Sequence, residues 1–104
     1  MKEEDLGIVI ATVVSAEHIT GTQRLHRIVL ETADGETLQI ASGIAGDFPA
    51  GYLIGKQVPV LTKVEPVKIR GILSQARFLA TSDGENKPVL LIPETMVPAG
   101  SKVW

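Results

Sequence analysis

Branched aliphatic residues fall in short alternating runs separated by glycine, and these runs predict strands rather than helices. Across Gly7–Ala16, Ile8, Ile10, Thr12 and Val14 alternate with Val9, Ala11 and Val13, so both faces of a first strand are largely apolar. Such a strand is buried on both sides or lines a small barrel. Branching at Cβ also restricts χ1 against the preceding helical turn, which disfavours a helix here. Thr20-Gly21-Thr22 interrupts the run, and Leu25–Thr32 predicts a second strand. Asp34-Gly35 then supplies the positive φ angles that a two-residue hairpin turn needs. A third strand follows over Thr37–Ser42, with Leu38 and Ile40 on one face and Thr37 and Gln39 on the other.

Past Gly43 and Gly46, which bracket Ile44-Ala45, Asp47 is placed to cap a short helix over Pro49–Leu53 that Gly55 terminates. Gln57–Lys63 predicts a fourth strand with Val58 and Val60 on one face. Pro59 lacks an N–H and so requires an edge or a strand start. Val64–Gly71, with Pro66 and Gly71, predicts an irregular connection. Gln75–Thr81 predicts a fifth strand carrying Phe78 and Ala80 on one face, Asp83-Gly84 a turn, and Val89–Ile92 a short sixth strand. Five or six short strands, one small helix and no alternating strand–helix rhythm point to an all-β Greek-key barrel or sandwich. With four aromatic residues in the chain, its core must be aliphatic and a stacked aromatic platform is not expected.

Composition narrows the class. The chain has 104 residues, which supports one domain spanning 1–104 and leaves no room for a separate catalytic domain. It has no cysteine, which excludes disulfides, thiolate metal sites and thiol catalysis. The uncharged stretch Leu6–Ala16 falls well short of the roughly 20 residues a membrane helix needs. Glu3, Glu4 and Asp5 stand where a signal peptide carries positive charge, so a cytoplasmic protein is expected. The formal net charge is −2, but it is unevenly placed. Residues 1–55 hold three basic and eight acidic residues. Residues 56–77 hold five basic residues (Lys56, Lys63, Lys68, Arg70, Arg77) against Glu65 alone. A local basic stripe of this kind can meet phosphates even when the whole chain is acidic.

Catalytic patterns are missing. His18 and His26 are the two histidines, without metal-ligand spacing, and Glu31, Asp34 and Glu36 are more simply solvating charges around a turn. No Gly-x-Ser-x-Gly elbow accompanies any serine, and the glycines at 43, 46, 51 and 55 are too dispersed to cradle a phosphate ahead of Lys-Ser or Lys-Thr. His26, flanked by Arg24 and Arg27, is expected at an interface or partly exposed. No enzyme activity, cofactor or metal is expected.

Three segments in order carry a resemblance: Ile40-Ala41-Ser42-Gly43-Ile44-Ala45, then Gly55-Lys56-Gln57-Val58, then Pro66-Val67-Lys68-Ile69-Arg70-Gly71-Ile72-Leu73-Ser74. With the close Leu91-Ile92-Pro93 and Val97-Pro98-Ala99-Gly100-Ser101-Lys102-Val103-Trp104, the chain from about Leu6 to Trp104 resembles the tRNA-binding domain family. That domain occurs at the C terminus of methionyl-tRNA synthetases, as their β-subunit, and in free-standing tRNA-binding proteins. The resemblance implies an oligonucleotide-binding (OB) fold, a five-stranded Greek-key barrel with short appended strands and one short helix. It further implies a non-catalytic module that binds tRNA, stands alone or serves a methionyl-tRNA synthetase in trans, and forms a homodimer.

The chain departs from the family pattern at three places. Lys63-Val64-Glu65-Pro66 stands where the family shows Asn-Leu-Lys-Pro, Ser74-Gln75-Ala76-Arg77 where it shows Ser-x-Gly-Met, and Ile19–Leu25 where it shows His-Pro-Asn-Ala-Asp-Lys-Leu. Replacing Gly by Ala at 76 narrows the backbone angles, and Arg77 adds a guanidinium. The expected RNA-binding residues are Arg24, Lys63, Lys68, Arg70 and Arg77 for phosphates, with Ser74 and Gln75 for a base or ribose. Relatives that resemble export chaperones also lack the Gly-Met pair, so a protein-binding module on the same fold, or a structural dimerisation module, is the alternative.

Overall fold

In the computed structural model of the chain, which describes residues 5–43 and 47–104, β1 (Ile8–His18) shares its two edges among three partners. Its first half lies between β4 (Gln57–Leu61) and β10 (Ser101–Lys102), with Val9 opposite both Val60 and Lys102. Its second half pairs with β2 (His26–Ala33), from Thr12 opposite Glu31 to His18 opposite His26. A register shift between Val13 and Ser15 marks a bulge. Ala11 and Val13 point into the core before it and Ala16 packs against the core after it, while Val14 is turned outward. The expected apolar strand with two covered faces is therefore a strand whose inward face changes parity at one inserted residue.

All pairings are antiparallel, in the order β3-β2-β1-β4-β7 with β10 beside β1, where β3 is Glu36–Ser42 and β7 is Arg77–Phe78. The sheet curls over a core in which Val13, Ile28, Leu30, Ile40, Leu53, Val58 and Val60 are fully buried. Leu53 comes from the short helix α1 (Ala50–Leu53), and Phe78 is the aromatic residue of the buried cluster. The curl is an OB-like half-barrel, and the core is aliphatic as the sequence requires.

Pro59 shows how a strand in mid-sheet tolerates the residue. It lies opposite Ile10, and its carbonyl turns away from β1 to accept the Leu79 amide at 3.1 Å. Its missing N–H faces the same way, so β4 offers β7 no donor at this position and the ladder ends there. The expected fifth strand over Gln75–Thr81 is thus broken into β7 and β8 (Ala80–Ser82). β8 pairs instead with β9 (Pro88–Leu90), around a turn in which the Asp83 carboxylate accepts the amides of Glu85 and Lys87 at 2.7 and 3.0 Å.

Other expectations shift for local reasons. The Asp34-Gly35 turn forms, but of the two only Gly35 has positive φ (+75°), and the pairing shifts register between Glu31 and Ala33. Helix α1 begins after Pro49 without a side-chain cap, and Asp47, expected to cap it, instead meets Arg24 at 3.3 Å. The reading of Gly43 and Gly46 bracketing Ile44-Ala45 falls partly outside the described residues. Val64–Gly71 is irregular only as far as Pro66: from Val67 on, β5 (Val67–Ile69) and β6 (Ile72–Ser74) form a hairpin. His26 is buried rather than interfacial or partly exposed, with its Nε2–H donating to the Phe48 carbonyl at 2.7 Å, and its Nδ1 meets no partner among the described residues.

Candidate nucleic-acid interface

The β5–β6 hairpin turns through Arg70 and Gly71, whose φ angles are +54° and +82°. Two successive positive φ values make the two-residue turn that suits the twist of paired strands. Glycine accommodates this readily, whereas a residue with a Cβ is strained by roughly 1–2 kcal/mol. Nothing in the local residue pattern signals it, because Arg-Gly lacks the Asn or Asp that usually marks such a turn. The hairpin carries Lys68 and Arg70 as exposed residues that form no ion pair among the described residues.

Behind the hairpin lies a groove of about 390 Å³ between β3, β5–β6 and β7. Its walls are aliphatic at Val64, Val67 and Ile69, and its two charged lining residues are Glu65 and Arg77. Arg77 is set opposite Leu61 by the β4–β7 register, is exposed, and forms no ion pair among the described residues.

The remaining expected contact residues are engaged within the fold. Ser74 is buried, and its hydroxyl accepts the Ala41 amide at 3.1 Å. Gln75 binds β3 twice: its amide donates to the Gln39 carbonyl, and its side-chain oxygen accepts the Gln39 amide, both at 2.9 Å. These bonds close the free edge of β3 onto the segment entering β7. Ala76 belongs to the buried core and has no positive φ, so its methyl fills the interior without the strain that a glycine position would impose. Lys63 reaches Asp5, with Nζ 3.4 Å from the carboxylate and 3.2 Å from the carbonyl oxygen. The Asp5 carboxyl is held below its ordinary pKa, first by the Gly7 amide that it accepts at 2.9 Å and then by the Lys63 charge. Arg24 lines a separate depression with Asp47, Phe48 and Lys87, away from the groove.

Sequence reading missed the polar row that leads from the Gln39–Gln75 pair. Arg27 donates through Nε to the Gln39 side chain at 3.0 Å and meets Glu17 at 3.3 Å. Their positions on the outward-facing half of β1, β2 and β3 were the available signal.

A second surface is apolar. Two depressions, one around Phe48, Tyr52 and Val89 and one around Gly55, Pro93 and Met96, share Lys56 and Ile92 and so form one continuous face. Ile92 and Met96 are 66% and 71% exposed. Phe48 and Tyr52 stack at 5.8 Å, with the Lys56 ammonium 4.1 Å from the Tyr52 ring centre.

No cluster of three or more His, Asp or Glu placed to hold a metal ion occurs among the described residues. No helix among them is long and apolar enough to cross a membrane.

Residues 8–102 match the tRNA binding domain family. A methionine–tRNA ligase of Methanothrix thermoacetophila is 41% identical over 95 residues, which is 91% of this chain but 14% of that enzyme. The chain therefore spans about one seventh of the length of that relative. Among solved structures, the MetRS related protein of Pyrococcus horikoshii superposes with a TM-score of 0.85 at 28% identity, covering 93% of this chain and 88% of that one. The chaperone CsaA of Bacillus anthracis superposes at 0.81 with 24% identity, over 93% of this chain and 89% of that one, and is similar in fold. With the family match covering nearly its full length and the curled sheet shared with these structures, the chain belongs to the tRNA-binding domain family.

Proposed function

We propose that residues 1–104 act as one non-catalytic domain that binds tRNA through the tip of the β5–β6 hairpin and the rim of the adjoining groove. Lys68, Arg70 and Arg77 supply the phosphate contacts. The observation that carries this reading is Arg70, a charged residue held at positive φ where glycine would fit without strain, at the tip of an exposed basic hairpin. Strain retained at an exposed position is characteristic of binding sites. Lys63 and Arg24 contribute less because each already faces a carboxylate. Ser74 and Gln75 act through the fold, by holding the hairpin and β7 against β3.

The domain works free-standing or in trans for a methionyl-tRNA synthetase in the cytoplasm, adding phosphate contacts and effective concentration without touching the chemistry. It does so as a homodimer whose contact is the apolar face around Ile92 and Met96.

Retention of bulk tRNA on filters over a salt series tests the reading. Each phosphate neutralised contributes about 0.7–0.9 to the log–log slope, so three contacts give a slope of roughly 2–3 for each chain engaged. A slope near zero, or no retention at low salt, would sink it. The aliphatic walls of the groove favour a second reading, a protein-binding module, which tight binding of an unfolded polypeptide without tRNA retention would support.

A further inference from the structure

We propose that the groove between β3, the β5–β6 hairpin and β7 selects guanine, with Arg77 holding a phosphate and the Glu65 carboxylate accepting the two N–H donors of the guanine Watson–Crick edge. This rests on the tRNA-binding reading and names what that surface selects.

The groove has the size and character such a site needs. Pockets that hold small ligands run from about 300 to 1,000 Å³ and are mostly apolar with a few polar groups. At about 390 Å³ the groove lies at the lower end, room for one nucleotide. Val64, Val67 and Ile69 offer aliphatic walls to the faces of a base. Phe78, the aromatic lining residue, is buried, so aromatic stacking contributes little and edge contacts decide what enters.

The charges are informative because they stay apart. Glu65 and Arg77 line one groove, both exposed, yet no ion pair joins them or engages either with another described residue. Arg77 offers the forked donor geometry that suits a phosphate. Glu65 has the opposite character: an ionised carboxylate only accepts hydrogen bonds, and beside phosphates it is repulsive unless it meets donors. Guanine places N1–H and N2–H side by side, matching two carboxylate oxygens. Uracil has one N–H between two carbonyls, which the carboxylate repels. Adenine and cytosine each set one amino group beside an unprotonated ring nitrogen. Folded RNA exposes such edges in loops and bulges, where bases leave the stack.

The test uses pentaribonucleotides of uridine with a central G, A, C or U, titrated against the intact chain by fluorescence anisotropy. The G pentamer is expected to bind about tenfold tighter than the others, the discrimination typical of a two-bond base contact. Glu65→Gln, which replaces one acceptor by a donor at an exposed position, should bring all four within about twofold without changing the melting temperature. Arg77→Met should weaken all four alike and keep the G preference. Equal affinities in the parent chain, or a preference that survives Glu65→Gln, would overturn the proposal. If bulk tRNA is retained while the pentamers show no preference, the guanine site fails and the tRNA reading stands. If tRNA is not retained either, both fail. Glu65-dependent binding of an unfolded polypeptide, with the pentamers unbound, would assign the groove to protein and overturn the proposal too.

Discussion

Gln39 and Gln75, 36 residues apart, are joined by two hydrogen bonds of 2.9 Å, one between their backbones and one from the Gln39 amide to the Gln75 side-chain oxygen. The second bond lets a side chain take the place of a strand peptide and close the free edge of β3. Gln75→Ala leaves the Gln39 amide without its acceptor, a loss of about 1–3 kcal/mol for a partly buried donor. Gln75→Glu keeps an acceptor and should recover most of it. Urea denaturation of the three proteins checks this, and equal midpoints for Gln75→Ala and the parent would remove Gln75 from the closure.

How much of this was legible follows from where each signal resides. The alternation of Leu38 and Ile40 is local, and it placed β3 and its inward face; the second strand was placed to within one residue, but which of its residues face inward was not. The roles of Ser74 and Gln75 were not legible, because both depend on a β3 edge more than 30 residues away. The same holds for Gln57, whose side-chain amide exchanges two hydrogen bonds with the backbone of Val97, at 2.6 and 3.0 Å, and so holds the C-terminal segment. Charge counting located the basic stretch but not its internal pairing. Lys63 and Asp5 are 58 residues apart, and the fold alone brings them together.

Arg70 sits at φ +54° at the hairpin tip, where strain and proposed function coincide. Arg70→Gly relieves the left-handed strain and should raise stability by about 1 kcal/mol. The same change removes a phosphate contact from each chain and should lower the salt-dependence slope of tRNA binding by about 0.7–0.9 per chain engaged. Thermal melts and filter binding on one preparation read both effects. A variant that is more stable and binds tRNA unchanged would show that Arg70 is not a contact.

Gly100 fastens the tail to the barrel. Its amide donates to the Ile10 carbonyl at 2.7 Å, its φ is +93°, and a Cβ there would collide with the Thr32 carbonyl oxygen. Gly100→Ala must shift backbone, not merely a flexible side chain, so a loss of about 2 kcal/mol or more is expected. Amide exchange should show β10 opening first. An unchanged denaturation midpoint would mean that the tail docks independently of this approach.

Asp5 both stabilises the start of β1 and holds Lys63. Because its folded-state pKa is depressed, its contribution is present above the unfolded carboxylate value and is lost as pH falls through the lower folded value. Asp5→Asn should therefore flatten the stability profile in that acid window alone. At neutral pH it frees Lys63 from its partner, so tRNA affinity should rise by roughly two- to threefold at low salt and converge with the parent at high salt. A stability profile in the acid window identical to that of the parent would contradict the assignment of Asp5.

The proposed dimer rests on the face that Lys56 and Ile92 make continuous. Ile92 and Met96 project from the irregular segment between β9 and β10, where truncation or charge opens no cavity in the core. A single contiguous apolar face of this kind is more than scattered surface hydrophobes require. Ile92→Glu combined with Met96→Glu places a carboxylate at each of two positions, and in a symmetric pair every charge is present twice and desolvated. The expected result in analytical ultracentrifugation is a parent at twice the chain mass and a double variant at the chain mass, with an unchanged melt at low concentration. tRNA affinity of the double variant should fall by at least about tenfold through lost bivalence, while its Lys68- and Arg77-dependent salt slope per chain persists. A parent that sediments as a monomer, or a variant that remains a dimer, places the interface elsewhere or removes it.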